Sequence, residues 1–182
     1  MVYIVLGQGF EEIEAITPCD LLRRAGIPTA FAGIGGKDVA GSHGIVIHAD
    51  VAVEEMDMEG LDMIVLPGGR QGVETILGST VTLEAVSSAW KAGKFVAAIC
   101  AAPTVLASLG ITDGRKVTCY PDEIWTSKMG KALLQPDAAA VRDGNLITGT
   151  SAGCSVPFGL ALVSALKGEE AAQKVEKGIV LR

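Results

Sequence analysis

Short apolar runs that stop at glycine or proline recur along this chain, each followed by a stretch with helical spacing. That alternation constrains the fold more than any other feature. Val2 to Leu6 (VYIVL) stops at Gly7, Leu61 to Leu66 (LDMIVL) stops at Pro67-Gly68-Gly69, and Phe95 to Ile99 (FVAAI) runs into Cys100. Runs this apolar read as strands buried on both faces. Between them Ile13, Ile16, Leu21 and Leu22 recur near the 3.6 period, and Gly26 follows Arg23 and Arg24 as a C-terminal stop. Pro18 inside this run predicts a kink or a late start. Val73 to Trp90 is expected to be mostly helical, and Ala101 to Leu109 helical up to Gly110. Strands alternating with helices imply a parallel sheet covered on both faces.

The remaining segments fit that plan. Thr29 to Ile34 reads as a second strand, and the alternating Gly44 to Val53 (GIVIHADVAV) as an antiparallel excursion near an edge. Lys116 to Cys119 is expected to be a short strand and Asp122 to Met129 a short helix. Ala138 to Arg142 pairs with Leu146 to Thr148 across Asp143-Gly144, a strong hairpin signal. Gly153 to Leu166 and Glu169 to Lys177 close the chain as helices. No repeat or linker interrupts the 182 residues, so a single domain over 1–182 is expected.

Composition narrows the partners. With 15 Lys plus Arg against 21 Asp plus Glu, the formal charge is −6, which argues against nucleic acid or an anionic membrane surface. Two stretches without charge, Phe95 to Thr112 and Asn145 to Leu166, approach spanning length, but proline and small polar residues break both. The first basic residue is Arg23, so no secretory signal is expected and a cytoplasmic location is.

Four cysteines, at 19, 100, 119 and 154, lack the two-residue spacing of zinc or thioredoxin-type sites. No metal or organic cofactor is expected. Cys100 differs from the others because it stands between a buried strand and a helix, among Ala98, Ala101 and Ala102. Such a turn exposes a nucleophile and sets its sulfur at a helix N-terminus, where thiolate is favoured. Pro103 suits the first helical turn. The other reading is a core cysteine in an Ala-rich strand. Leu66-Pro67-Gly68-Gly69 ends the preceding parallel strand, so its N–H groups reach the same carboxyl edge, where they can serve an oxyanion. The first strand–helix junction delivers Glu11, Glu12 and Glu14 to that edge. Glu11 and Glu12 read as solvated charges near a helix N-terminus, and Glu14, between Ile13 and Ala15, as the one that points inward.

With EEIE, PCDLLRRAGI, VLPGG, AAICAAPTVLA, KVTCYPD and LALVSALKG in this order, the chain resembles the ThiJ/PfpI superfamily over nearly its whole length. The likeness is to its branch of small proteins related to the Parkinsonism-associated deglycase. The resemblance implies a flavodoxin-like three-layer α/β/α sandwich with a mostly parallel sheet and a nucleophile elbow, like that of class I glutamine amidotransferases. It implies Cys100 as nucleophile, Glu14 as a protonated acid bonded to its sulfur, and Gly69 and Ala101 as oxyanion-hole donors. Gly68, Tyr120, Arg24 and His43 match positions that can line the pocket or a dimer rim. A homodimer is implied, and the exposed faces of the first helix and the Gly44 to Val53 segment supply a physical motive.

The chain also departs from its relatives. Ala101 replaces the histidine of the protease-like branch, Tyr120 stands where a histidine is frequent, and Thr150-Ser151 stands where relatives carry Arg-Gly. No histidine follows Cys100, which excludes an amidotransferase triad. The expected activity is a cysteine-dependent glyoxalase or deglycase reaction on a small carbonyl substrate such as methylglyoxal. Alternatives are a redox sensor or chaperone with an oxidisable Cys100, or a Cys–Glu hydrolase of C–N or isocyanide substrates. Cys119 is the expected secondary oxidisable thiol.

Overall fold

The computed structural model describes residues 1–181. In chain order the elements are β1 (Val2–Leu6), α1 (Glu12–Arg24), β2 (Thr29–Gly33), β3 (Asp38–Ala40), β4 (Val46–His48), β5 (Val51–Ala52) and β6 (Met63–Leu66). They continue with α2 (Arg70–Leu77), α3 (Thr80–Lys91), β7 (Phe95–Ile99), α4 (Pro103–Ser108), β8 (Lys116–Val117), α5 (Glu123–Thr126) and β9 (Leu133–Leu134). The hairpin β10 (Ala140–Asp143) and β11 (Leu146–Gly149) leads to α6 (Ser155–Lys167) and α7 (Glu169–Gly178).

Seven strands form one sheet in the order β10-β11-β7-β6-β1-β2-β5. Every pairing in it is parallel except the β10–β11 hairpin. Because side chains alternate across a strand, each strand feeds both faces. Val5, Ile64, Leu66, Val96 and Ala98 pack with Val73 and Ile76 of α2, Val86 of α3 and Val105 of α4. Ile4, Leu6, Val65, Ala97 and Ile99 pack with Ala15, Cys19 and Leu22 of α1, Phe158 and Leu162 of α6, and Val175 of α7. This is the expected three-layer, flavodoxin-like arrangement, with Cys100 packed against both layers.

Several segments differ from the sequence reading. Gly44 to Val53 is two elements: β4 pairs antiparallel with β3 in a separate ribbon, and β5 joins the edge of the main sheet in parallel. The run after Gly69 is divided at Gly78-Ser79, where Ser79 accepts from the Thr82 N–H and starts α3. Pro18 neither delays nor ends α1, which begins at Glu12 and carries Pro18 in its buried face. The helix loses only the bond that residue 18 would give to residue 14, and packing of that face offsets it. β9 had no strand signal of its own; Leu133 and Leu134 pair with Lys116 and Val117. Among the described residues, no helix is long and apolar enough to cross a membrane.

Candidate active site

Cys100 closes β7 with φ +65, a left-handed conformation that a side chain adopts at a cost on the order of 1–3 kcal/mol. Both of its backbone groups are pinned by distant segments. Its N–H donates to the Gly149 carbonyl at 3.0 Å, and its own carbonyl accepts from the Tyr120 N–H at 2.8 Å. These bonds from β11 and from the segment before α5 hold the strained turn in place. Pro103 opens α4 three residues after Cys100.

The sulfur faces Glu14, which is 1% exposed and hydrogen-bonded to it. Glu14 reaches this edge because α1 starts beside it: Glu11 caps the helix by accepting from the Glu14 N–H at 2.8 Å. The Gly68 N–H donates to Glu14 Oε2 at 2.8 Å, and the Ala152 N–H also serves this carboxyl. The N–H groups of Gly69 and Ala101 face the sulfur. The structure therefore brings together Cys100, Glu14, Gly68, Gly69 and Ala101 from three separate sequence segments. Ala152, on the turn before α6, joins them without any sequence signal that would single it out.

Glycine is required at 68 for space. A Cβ there would lie 2.6 Å from Glu14 Oε2 and 2.7 Å from Cys100 Cβ. Gly68→Ala should therefore destabilise the fold by about 1–3 kcal/mol, as overpacking does. Chemical denaturation checks this, and an unchanged midpoint would show that the Cys100–Glu14 contact is looser than described.

Electrostatics at the thiol run opposite to the expectation from a helix N-terminus. Burial pushes the Cys100 thiol up, and so does a charged Glu14, against the pull of the Ala101 and Gly69 N–H groups. The first turn of a six-residue helix does not outweigh removal from water beside a carboxylate. Burial likewise pushes the Glu14 carboxyl up, to about 7, while its hydrogen bonds to Cys100, Gly68 and Ala152 pull down. Two ionised groups in contact are disfavoured, so the pair carries one negative charge and keeps one proton above neutrality.

The other nominated residues lie elsewhere. Arg24 sits at the far end of α1, a helix about 20 Å long, and pairs with Asp20 at 2.6 Å. It lines a cleft of ≈ 440 Å³ with Lys167 and Lys174, and this cleft is remote from the thiol. Tyr120 is 42% exposed and contributes its backbone N–H. Glu12 is 4% exposed and not a solvated charge. It is buried because the turn after β3 folds onto it, with Ser42 N–H donating to the Phe10 carbonyl. Burial pushes the Glu12 carboxyl up, but hydrogen bonds from the His43 ring, the His43 N–H and Ser42 outweigh it and hold the value at about 2. His43 is therefore latched to Glu12 of its own chain, with its ring exposed and its pKa raised by that carboxylate. Among the described residues, potential metal-ligating atoms converge within 4.8 Å at Glu11, Glu12 and His43, but Ser42 and His43 already occupy the Glu12 oxygens. Cys119 is buried with its thiol pushed up to about 11, which does not suit the oxidisable role expected of it.

A strained cysteine at the carboxyl end of a parallel strand, ringed by backbone N–H groups and a buried carboxyl, defines a nucleophile-elbow α/β protein. Comparison with known proteins makes the class specific: the chain belongs to the DJ-1/PfpI family, which matches residues 1–165. It is 36% identical to protein dj-1beta of Drosophila melanogaster over 179 residues, covering 98% of this chain and 95% of that protein. It is 33% identical to a deglycase of Pyrococcus abyssi over 147 residues, 81% of this chain and 87% of the relative. The crystal structure of Drosophila melanogaster DJ-1beta superposes with a TM-score of 0.94 at 35% identity, covering 100% of this chain and 97% of that one.

Proposed function

We propose that this protein is a cysteine-dependent enzyme of the glyoxalase or deglycase type, acting on reactive dicarbonyls such as methylglyoxal or their early protein adducts. The observation that carries the reading is the buried Glu14 carboxyl bonded to the Cys100 sulfur, with the Gly69 and Ala101 N–H groups beside it. The thiolate forms a C–S bond to the aldehyde carbon, and the carbonyl electron pair moves to oxygen, where backbone N–H groups hold it. Protonation of that oxygen gives a hemithioacetal. Glu14 then takes the proton from C1 and returns one to C2, so C1 is oxidised as C2 is reduced and no external oxidant is needed. Water cleaves the resulting thioester and releases a 2-hydroxy acid and the thiol.

Loss of methylglyoxal with formation of lactate, followed at steady state, tests the proposal. Absence of turnover, with Cys100 still oxidised readily by peroxide, would replace it with the redox-sensing reading. Turnover of amides or isocyanides in place of dicarbonyls would replace it with the hydrolase.

The reactive form of the pair is thiolate with protonated Glu14, which exists only after one proton has left. Alkylation of Cys100 by iodoacetamide should therefore rise as pH increases through about 7, the value set by Glu14, and level off above it. In Glu14→Gln the inflection near 7 should vanish. An identical profile in both proteins would show that Glu14 does not set it.

We further propose a homodimer. Ile13 and Ile16 on α1 are 53% and 42% exposed, and Ile45 and Val46 on the neighbouring ribbon 52% and 61%, on either side of the Glu12–His43 latch. A two-fold contact is the commonest cover for such side chains. Light scattering at micromolar concentration should give twice the chain mass, and Val46→Glu should shift it toward the monomer. A monomeric wild type ends this proposal.

A further inference from the structure

Arg70 is the residue immediately after Gly69, so its side chain starts one Cα step, about 3.8 Å, from a donor that faces the sulfur. From there it crosses to a different segment: its guanidinium carbon lies 6.0 Å from the centroid of the Trp125 ring. Trp125 belongs to α5, in the segment that begins at Tyr120, whose N–H holds the Cys100 carbonyl. A second cation, the Lys128 ammonium, lies 4.7 Å from the same ring centroid. Two positive groups thus converge on one aromatic ring, which belongs to the core cluster that Cys100 packs against.

Arg70 differs from the other described arginines in having no partner. Arg23 and Arg24 pair with Asp50 and Asp20, Arg115 pairs with Asp143, and Arg142 donates to the Gly144 carbonyl. Among the described residues, Arg70 alone of the arginines has neither a carboxylate nor a carbonyl acceptor, and Lys128 has no ion pair. With no acceptor among the described residues, the guanidinium N–H groups of Arg70 are free for an anion, which they can bind bidentately.

We infer that Arg70, held near Trp125 and assisted by Lys128, is a specificity residue that draws substrates with an anionic tail to Cys100, in particular 2-oxoaldehydes whose far end carries a carboxylate. The inference rests on the dicarbonyl reading for its substrate class and on the position of Arg70 for its charge.

The two are separated by measuring thiol capture apart from turnover. Iodoacetate and iodoacetamide both alkylate Cys100, forming a C–S bond and releasing iodide, and they differ in one charge. With labelling mapped to Cys100, the iodoacetate-to-iodoacetamide rate ratio should fall about tenfold in Arg70→Gln, the size of one lost charge-assisted hydrogen bond. Arg70→Lys should recover a large part of it. The kcat/KM for 4,5-dioxopentanoate relative to methylglyoxal should fall in parallel. A lowered alkylation ratio without turnover of either dicarbonyl would overturn the dicarbonyl reading and keep anion recruitment. A ratio within about twofold of wild type in Arg70→Gln would overturn the role of Arg70.

Discussion

Cys100→Ser should reduce methylglyoxal turnover at least about 10³-fold, to the background of the assay, because no other group at the site replaces the attacking sulfur. A serine hydroxyl in the same place is far less acidic than a thiol, and among the described residues Glu14, already pushed up to about 7 by burial, is the only side chain bonded to it. The fold should survive. Serine fills nearly the same volume, and the φ of +65 is imposed by bonds from Gly149 and Tyr120 that do not involve the side chain. Lactate formation by wild type and variant, with a thermal melt of each, checks both halves. Substantial residual turnover in a folded Cys100→Ser would remove Cys100 from the reaction.

Glu14→Gln should lower dicarbonyl turnover by roughly 10²-fold or more, the range supplied by a positioned acid–base group. The amide is nearly isosteric with the carboxylic acid and can still meet the sulfur and the Gly68 N–H, so binding geometry changes little. What it cannot do is carry a proton from one carbon to the next. Glu12→Gln is the matching control, because Glu12 faces Ser42 and His43 and not the sulfur. Loss of turnover in Glu12→Gln alone would show that the wrong carboxylate has been assigned.

Much of this arrangement was legible in the residues themselves. Apolar runs that end in glycine or proline mark strands and the edge where they stop, and period determines which faces helices cover. Hence β1, β6, β7 and the β10–β11 hairpin lie where the pattern puts them, and Cys100, Gly68, Gly69, Ala101 and Glu14 share one edge. Glu14 was separable from its neighbours because it stands between the apolar Ile13 and Ala15, and it is buried on α1.

Tertiary structure decided what spacing does not encode, namely the surroundings of each charge. Glu12 reads as a solvated charge near the helix N-terminus, yet the turn after β3 folds over it, and His43 and Ser42 hold it ionised. Ala152 meets Glu14 through a segment more than 130 positions away, and Arg70 meets Trp125 through one more than 50 away. The direction in which Cys100 shifts belongs here too. A helix N-terminus is a local feature and favours thiolate, but the depth of burial and the facing carboxyl come from packing of α1 against the end of β7, and they prevail. Hydrogen-bonding period and turn chemistry are properties of neighbours along the chain, whereas desolvation and charge pairing depend on which distant segments close over a group.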